Sequence, residues 1–103
     1  MIVVRGVYRA KYGKGDELVQ LFKEVFATWP VDRDVRIMTD LSGPFFTVVT
    51  ESQFATFGEW EAASQEMFGD PRFAAWFERM TPLVEGGQRE FYTLVEGATA
   101  DEA

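Results

Sequence analysis

The order of hydrophobic periods along the chain is the feature that most restricts its fold. Apolar residues alternate with a period of two in some segments and recur every three or four residues in others. From the amino terminus, the segments predict strand, helix, strand, strand, a helix broken in two, and strand. With right-handed crossovers this order gives a ferredoxin-like βαββαβ arrangement, an α+β fold whose four-stranded antiparallel sheet carries its helices on one face.

The first half of the chain supplies three strands and one helix. Residues 2–10 are rich in β-branched and aromatic side chains, which predicts a strand. Asp16 is expected to cap a helix with apolar residues at helical spacing, and Pro30 is expected to end it. Residues 34–40 and 45–52 predict the two strands of an antiparallel hairpin, because only a short turn sequence separates them.

The second helix of the pattern is divided into two pieces. Helical spacing returns after residue 54 and is interrupted at Gly69. Asp70 as N-cap and Pro71 as first helical residue predict a restart, and Pro82 follows its end.

The last predicted element is a strand over residues 88–96, and the preceding residues Glu85-Gly86-Gly87 are typical of a loop. We therefore expect a single domain over residues 1–96. Residues 97–103 are small and acidic, which predicts a flexible tail.

The strands are apolar in both phases of their alternation, which predicts that both faces of the sheet are covered. In the first strand, Ile2, Val4 and Tyr8 occupy one phase, while Val3 and Val7 occupy the other. The third and fourth strands show the same pattern. Because the helices can cover only one face, the other face needs a second cover. The simplest cover is a second copy of the chain, so we expect a homodimer.

Three segments of the chain resemble a known superfamily. These are Phe-Gly-Glu-Trp at 57–60, Asp-Pro-Arg-Phe-Ala-Ala-Trp-Phe at 70–77 and Gly-Gln-Arg-Glu-Phe-Tyr at 87–92. With the hairpin before 46–51, they resemble the dimeric α+β barrel superfamily over residues 2–96. Within it, the chain is most similar to the NIPSNAP-like and antibiotic-biosynthesis-monooxygenase-like small proteins. The resemblance implies a homodimer whose two sheets pack face to face into a closed barrel.

The superfamily includes cofactor-free monooxygenases of aromatic polyketides, haem-degrading enzymes, lactone isomerases and dye-decolourising peroxidases. The chain contains no Cys, His or Asn. This absence excludes disulfides, Cys or His zinc sites and imidazole-based triads, and it disfavours the haem-degrading branch, which typically uses His and Asn. The quinone-forming monooxygenases typically use Asn, Trp and Arg, of which this chain can offer Trp60 and Arg89. We expect no bound metal or cofactor.

The charge balance restricts the partners. Seventeen acidic and 10 basic side chains give a net charge of −7 and a pI of about 4.5. The resulting field repels nucleic acid and anionic membrane surfaces. No apolar run approaches the roughly 20 residues that cross a bilayer, so we expect a soluble, cytoplasmic protein.

Without imidazole, proton transfer and anion stabilisation fall to other side chains. Arg5 or Arg89 could stabilise a developing anion, and Tyr8 or Tyr92 could position or relay a proton. These four are the candidate catalytic residues. In the alternative interpretation, Arg5 and the strand carboxylates form ion pairs across strands or at the dimer interface.

The candidate ligand-binding residues are Trp60, Trp76 and Phe91, which with Tyr92 could line a pocket between helices and sheet for a flat aromatic ligand. The alternative is that they only fill the core. Together with the resemblance to the superfamily, which implies this activity class, these residues favour a monooxygenase-like or isomerase-like enzyme acting on an aromatic or enolisable molecule. The alternatives are a module that binds a small hydrophobic anion without catalysis and a structural dimer.

Overall fold

A computed structural model describes residues 1–28 and 35–97 of the chain. Its elements are β1 (Ile2–Ala10), α1 (Gly15–Thr28), β2 (Arg36–Thr39), β3 (Thr47–Phe54), α2 (Phe57–Phe68), α3 (Pro71–Met80), a short 3₁₀ turn (Thr81–Leu83) and β4 (Val84–Thr93). The strands form one antiparallel sheet in the order β2-β3-β1-β4. The predicted ferredoxin-like fold is confirmed.

Several predicted boundaries move by a few residues. Helix α1 begins at Gly15, so Asp16 lies in its first turn instead of capping it. The expected end of this helix at Pro30 and the first residue of the strand predicted over 34–40 lie outside the described residues, as does the tail from residue 98. Strand β3 begins two residues later than predicted, because Phe46 adopts a left-handed conformation with φ 57° that ends the loop.

Strand β4 begins at Val84 and includes Gly86 and Gly87, which the sequence placed in a loop. Gly87 pairs with Tyr8 of β1 at close range, since a Cβ built on it would stand 2.6 Å from the Val7 carbonyl oxygen. The glycine therefore allows two strands to approach, where the sequence suggested a turn.

The restart between the last two helices is confirmed. The Asp70 carboxylate accepts a hydrogen bond from the Arg72 backbone N–H at 2.8 Å, and Pro71 begins α3. This cap satisfies one of the amides that a helix start leaves free.

The core lies between α1, α3 and one face of the sheet. Leu18 and Val48 are completely buried within it. Trp76 joins α3 to α1, because its indole N–H donates a hydrogen bond of 2.7 Å to the Leu21 carbonyl oxygen. Helix α2 packs more loosely, and Ser64 is its only buried residue.

The opposite face of the sheet is bare of helices. Val3, Val7, Met38 and Val49 lie on it and are only partly buried, whereas Val48 on the other face is completely buried. The predicted two-faced apolar sheet is therefore present. Among the described residues, no helix is long and apolar enough to cross a membrane.

Candidate functional site

A cavity of about 710 Å³ lies between the sheet and the helices. Its size is in the range of small-molecule sites, about 300–1,000 Å³. The strands contribute Val4, Gly6, Tyr8, Thr50, Glu51, Ser52 and Arg89 to its lining, and the helices contribute chiefly Phe22, Phe26, Trp60, Ser64, Met67, Phe73, Trp76, Phe77 and Glu78. The cavity is thus mostly apolar and aromatic, with few polar groups.

The loose packing of α2 explains why this space exists. The helix has a weakly amphipathic sequence, and its larger inward side chains, Trp60 and Met67, are only partly buried. Both line the cavity instead of closing against the sheet. A helix that leaves its inner face partly uncovered above a cavity provides a wall for a ligand.

A row of polar groups crosses the floor of the cavity. Thr50 of β3 and Arg89 of β4 both pair with Gly6 of β1, so all three residues occupy one row on the helix-covered face. Neighbouring strands lie about 4.8 Å apart, which places the ends of this row roughly 10 Å from each other. The Tyr8 side chain extends over the middle of the row, because a Cβ built on Gly6 would stand 2.9 Å from the Tyr8 hydroxyl oxygen.

Burial keeps the Tyr8 hydroxyl protonated. It raises the pKa of Tyr8 above its ordinary value of 10.0, against the smaller lowering effects of the positive Arg89 and a hydrogen bond with Thr50. The ring of Tyr8 also packs on Phe22, with 4.9 Å between the centroids. At neutral pH the Tyr8 hydroxyl is therefore protonated, and it can donate a hydrogen bond.

Arg89 supplies positive charge at the same floor. It is the only Lys or Arg among the described residues that line the cavity, and none of the described carboxylates forms an ion pair with it. Its guanidinium carbon lies 5.3 Å from the centroid of the Trp60 ring, which is a cation–π contact. A positive group held by an aromatic ring and not neutralised by an acid is available to an anionic ligand.

Trp60 and Trp76 line the cavity in different ways. Trp60 is partly buried and belongs to an aromatic group with Phe57 and Phe91, whose rings are centred 5.4 and 4.8 Å from its own. Trp76 is buried, and its N–H is already bound to Leu21, so only its ring face can meet a ligand. Phe91 contacts Trp60 on the helix-covered face and supports that ring.

The structure places Arg5 and Tyr92 on the opposite face of the sheet from Tyr8 and Arg89. Tyr92 pairs with Val3 on the bare face, so the expectation that it lines a pocket under the helices is wrong. Arg5 also lies there, with its Nε 3.9 Å from a Glu51 carboxylate oxygen, and Arg36 reaches the other oxygen at 3.8 Å. Arg5 and Arg36 thus form ion pairs across strands with the same carboxylate.

Five polar or small residues of the cavity were not predicted as site residues: Gly6, Thr50, Ser52, Ser64 and Glu78. An isolated glycine inside a strand pattern is a usable signal, because it often marks close approach by another group. The hydroxyl residues give no such signal. Among the described residues, no group of three or more acidic side chains is arranged to hold a metal ion.

Solved structures share this fold. An uncharacterised NIPSNAP-like domain protein from Burkholderia xenovorans matches with a TM-score of 0.84 at 16% identity, over 95% of this chain and 88% of that one. A NIPSNAP domain protein from the same organism matches at 0.78 and 21% identity, over 90% and 93% of the two chains. A protein described as a candidate antibiotic biosynthesis monooxygenase from Deinococcus radiodurans matches at 0.69 and 16% identity, over 96% and 97%.

No sequence-family model and no curated protein sequence matches the chain. The structural likenesses establish the fold, and they confirm at that level the resemblance to the NIPSNAP-like and antibiotic-biosynthesis-monooxygenase-like proteins. At these sequence identities, a shared fold does not establish an activity for this chain.

Proposed function

We propose that the cavity binds a small flat aromatic molecule with one acidic hydroxyl and holds it as its anion. The observation that carries this proposal is that the protonated Tyr8 hydroxyl and Arg89, which forms no ion pair with a described carboxylate, both lie at the floor of an aromatic cavity. Aromatic walls select a flat ligand by stacking. Two donors on the floor stabilise the ionised oxygen more than the neutral hydroxyl, so the ligand loses its proton to solvent on binding.

We further propose that the bound anion reacts with molecular oxygen without a cofactor. For a phenol with a free para carbon, the phenolate forms a carbon–oxygen bond with O₂, and loss of water from the hydroperoxide gives a quinone. One phenol and one O₂ thus yield one quinone and one water. Likeness to a candidate antibiotic biosynthesis monooxygenase supports this choice. The alternative is a protein that binds a small hydrophobic anion without changing it.

The binding proposal is tested with 4-nitro-1-naphthol, whose ionised form absorbs visible light, and 1-nitronaphthalene, which lacks the hydroxyl. The wild type should bind the naphthol at least tenfold more tightly and lower its pKa by about 1–2 units, the shift that a cation at close range produces near a protein surface. Arg89→Gln should abolish both effects. Arg79→Gln removes an exposed arginine that pairs with Glu24 outside the cavity, and it should leave both unchanged.

Equal affinity for the two compounds in the wild type would refute anion binding. The reaction is tested separately with 1-naphthol in an oxygen electrode. The proposal requires one O₂ consumed per 1,4-naphthoquinone formed and loss of turnover in Arg89→Gln. Tight binding of 4-nitro-1-naphthol with 1-naphthol recovered unchanged would establish the binding module instead.

We also propose that the bare face of the sheet pairs with a second copy of the chain. The partly exposed Val3, Val7 and Val49 need a cover, and the buried Arg5 Nε has no hydrogen-bond partner among the described residues. Light scattering should give twice the mass of 11.7 kDa. Val7→Glu, which introduces a charge into this face, should give a folded monomer, and a wild-type monomer at micromolar concentration would contradict the proposal.

A further inference from the structure

We propose that Gly6 is a positioning residue, which gives the Tyr8 phenol the space to lie on the sheet with its hydroxyl between Thr50 and Arg89. The function of that arrangement rests on the proposed function above. The arrangement itself rests on the contacts around one buried glycine in the central strand of the sheet.

The backbone conformation does not explain the glycine. Gly13 and Gly43 are the glycines with positive φ among the described residues, and Gly6 is not one of them. Glycine inside a strand is also unfavourable, because it loses more conformational entropy on folding than other residues and buries no side chain. A residue with a Cβ could adopt this backbone conformation, so the reason for glycine lies in its surroundings.

The surroundings of Gly6 are the side chains of the cavity floor. A Cβ at this position would stand 2.7 Å from Tyr8 Cε2, 2.9 Å from the Tyr8 hydroxyl oxygen and 3.0 Å from Thr50 Oγ1. All three atoms belong to side chains, and two of them are the hydroxyl oxygens that interact with each other. The space left by the missing Cβ is therefore occupied by the Tyr8–Thr50 pair.

A methyl group at position 6 would lift the phenol off the sheet. Phe22 packs on the Tyr8 ring, so the ring cannot retreat without entering the cavity. The hydroxyl would then leave Thr50 and the row that ends at Arg89. Gly6→Ala should consequently remove the contribution of Tyr8 to anion binding even though Tyr8 is still present.

The ratio of affinities for 4-nitro-1-naphthol and 1-nitronaphthalene measures that contribution, and it is insensitive to a general loss of cavity volume. We expect Tyr8→Phe to reduce the wild-type ratio at least threefold and Gly6→Ala to reduce it equally. In the double variant the ratio should fall no further. A wild-type ratio in Gly6→Ala, or a double variant well below both single variants, would overturn the proposal. Gly58→Ala is the matched control, because a Cβ there meets only Thr56 Oγ1 at 3.8 Å.

Two measurements decide the question without a ligand, so failure of the proposed function leaves the inference testable. In the wild type, nuclear Overhauser contacts should join the Gly6 α-protons to the Tyr8 ring protons, and their absence would overturn the proposal. Gly6→Ala should also lower the melting temperature in the wild-type background. In a Tyr8→Ala background, where the ring is gone, the same change should not lower it, and an equal decrease in both backgrounds would show that Gly6 acts independently of Tyr8.

Discussion

The different roles of Trp60 and Trp76 can be distinguished by replacing each of them with phenylalanine. Trp76→Phe keeps an aromatic face in the cavity but removes the N–H that donates to the Leu21 carbonyl oxygen at 2.7 Å. The lost hydrogen bond costs about 1 kcal/mol, and the void left by the smaller buried ring adds roughly 1 kcal/mol. The free energy of unfolding should therefore fall by about 2 kcal/mol, equivalent to roughly 10 °C in melting temperature for a chain of this size.

Trp60→Phe should weaken ligand binding and leave stability nearly unchanged. Trp60 is only partly buried, so the free energy of unfolding should change by less than about 0.5 kcal/mol. Its ring holds the Arg89 guanidinium at 5.3 Å, and phenylalanine is a weaker partner for a cation. Affinity for 4-nitro-1-naphthol should fall about threefold, which corresponds to roughly 0.7 kcal/mol.

Urea denaturation at one protein concentration and calorimetric titration of 4-nitro-1-naphthol measure the two quantities on the same samples. Trp76→Phe should lose stability at nearly unchanged affinity, and Trp60→Phe should lose affinity at nearly unchanged stability. If Trp76→Phe kept its stability and bound the naphthol more weakly, the assignment of Trp76 to the core would be wrong.

Three further predictions concern the fold. Because burial raises the pKa of Tyr8 above its ordinary 10.0, the unfolded chain loses this proton first as the pH rises, so stability should decline above that value. Urea denaturation between about pH 9 and pH 11 should give a shallower decline for Tyr8→Phe, and equal slopes would contradict the burial of this hydroxyl. In thermal denaturation, Gly87→Ala should lower the free energy of unfolding by at least about 2 kcal/mol, because its Cβ would stand 2.6 Å from the Val7 carbonyl oxygen. Gly58→Ala should raise the free energy of unfolding by about 0.5–1 kcal/mol, because position 58 is helical and has open space for a Cβ. Asp70→Ala removes the cap of α3 and should lower the free energy of unfolding by about 1 kcal/mol, whereas Asp70→Asn can still cap the helix and should keep most of that stability. Equal losses of stability in the two variants would show that the cap is unimportant.

Local chemistry made much of the fold predictable. Asp70-Pro71 is a helix start whatever surrounds it, because the cap and the fixed φ of proline act within one turn. Alternation in β1 likewise separates Arg5 from Tyr8, since successive side chains point to opposite faces of a sheet. The interpretation of Gly86 and Gly87 failed for the converse reason: their role depends on β1, which is distant in the sequence.

The site depended on information that one sequence does not contain. Tyr8 and Arg89 were identified separately, but their proximity follows from the pairing of Gly6 with Arg89, and pairing register is set by the whole sheet. Alternation along β4 already prevents Phe91 and Tyr92 from facing the same pocket, and the pairing with β1 decides that Tyr92 is the one on the bare face. Gly6 carried a signal, an interruption in an otherwise β-branched strand, whose meaning became clear only from the neighbouring hydroxyls.

The position of β1 in the sheet also has a consequence for biosynthesis. Strand β1 is synthesised before the other strands of this sheet, and it lies between β3 and β4, which both follow it in the sequence. Both edges of β1 therefore stay unpaired until segments far along the chain have been made, and pairings between distant segments form slowly. Since Arg89 belongs to β4, the cavity floor cannot form until β4 has been synthesised and has paired with β1. A ligand that needs this floor can bind only the folded protein, so it can slow the loss of the folded state but cannot assist the early steps of folding.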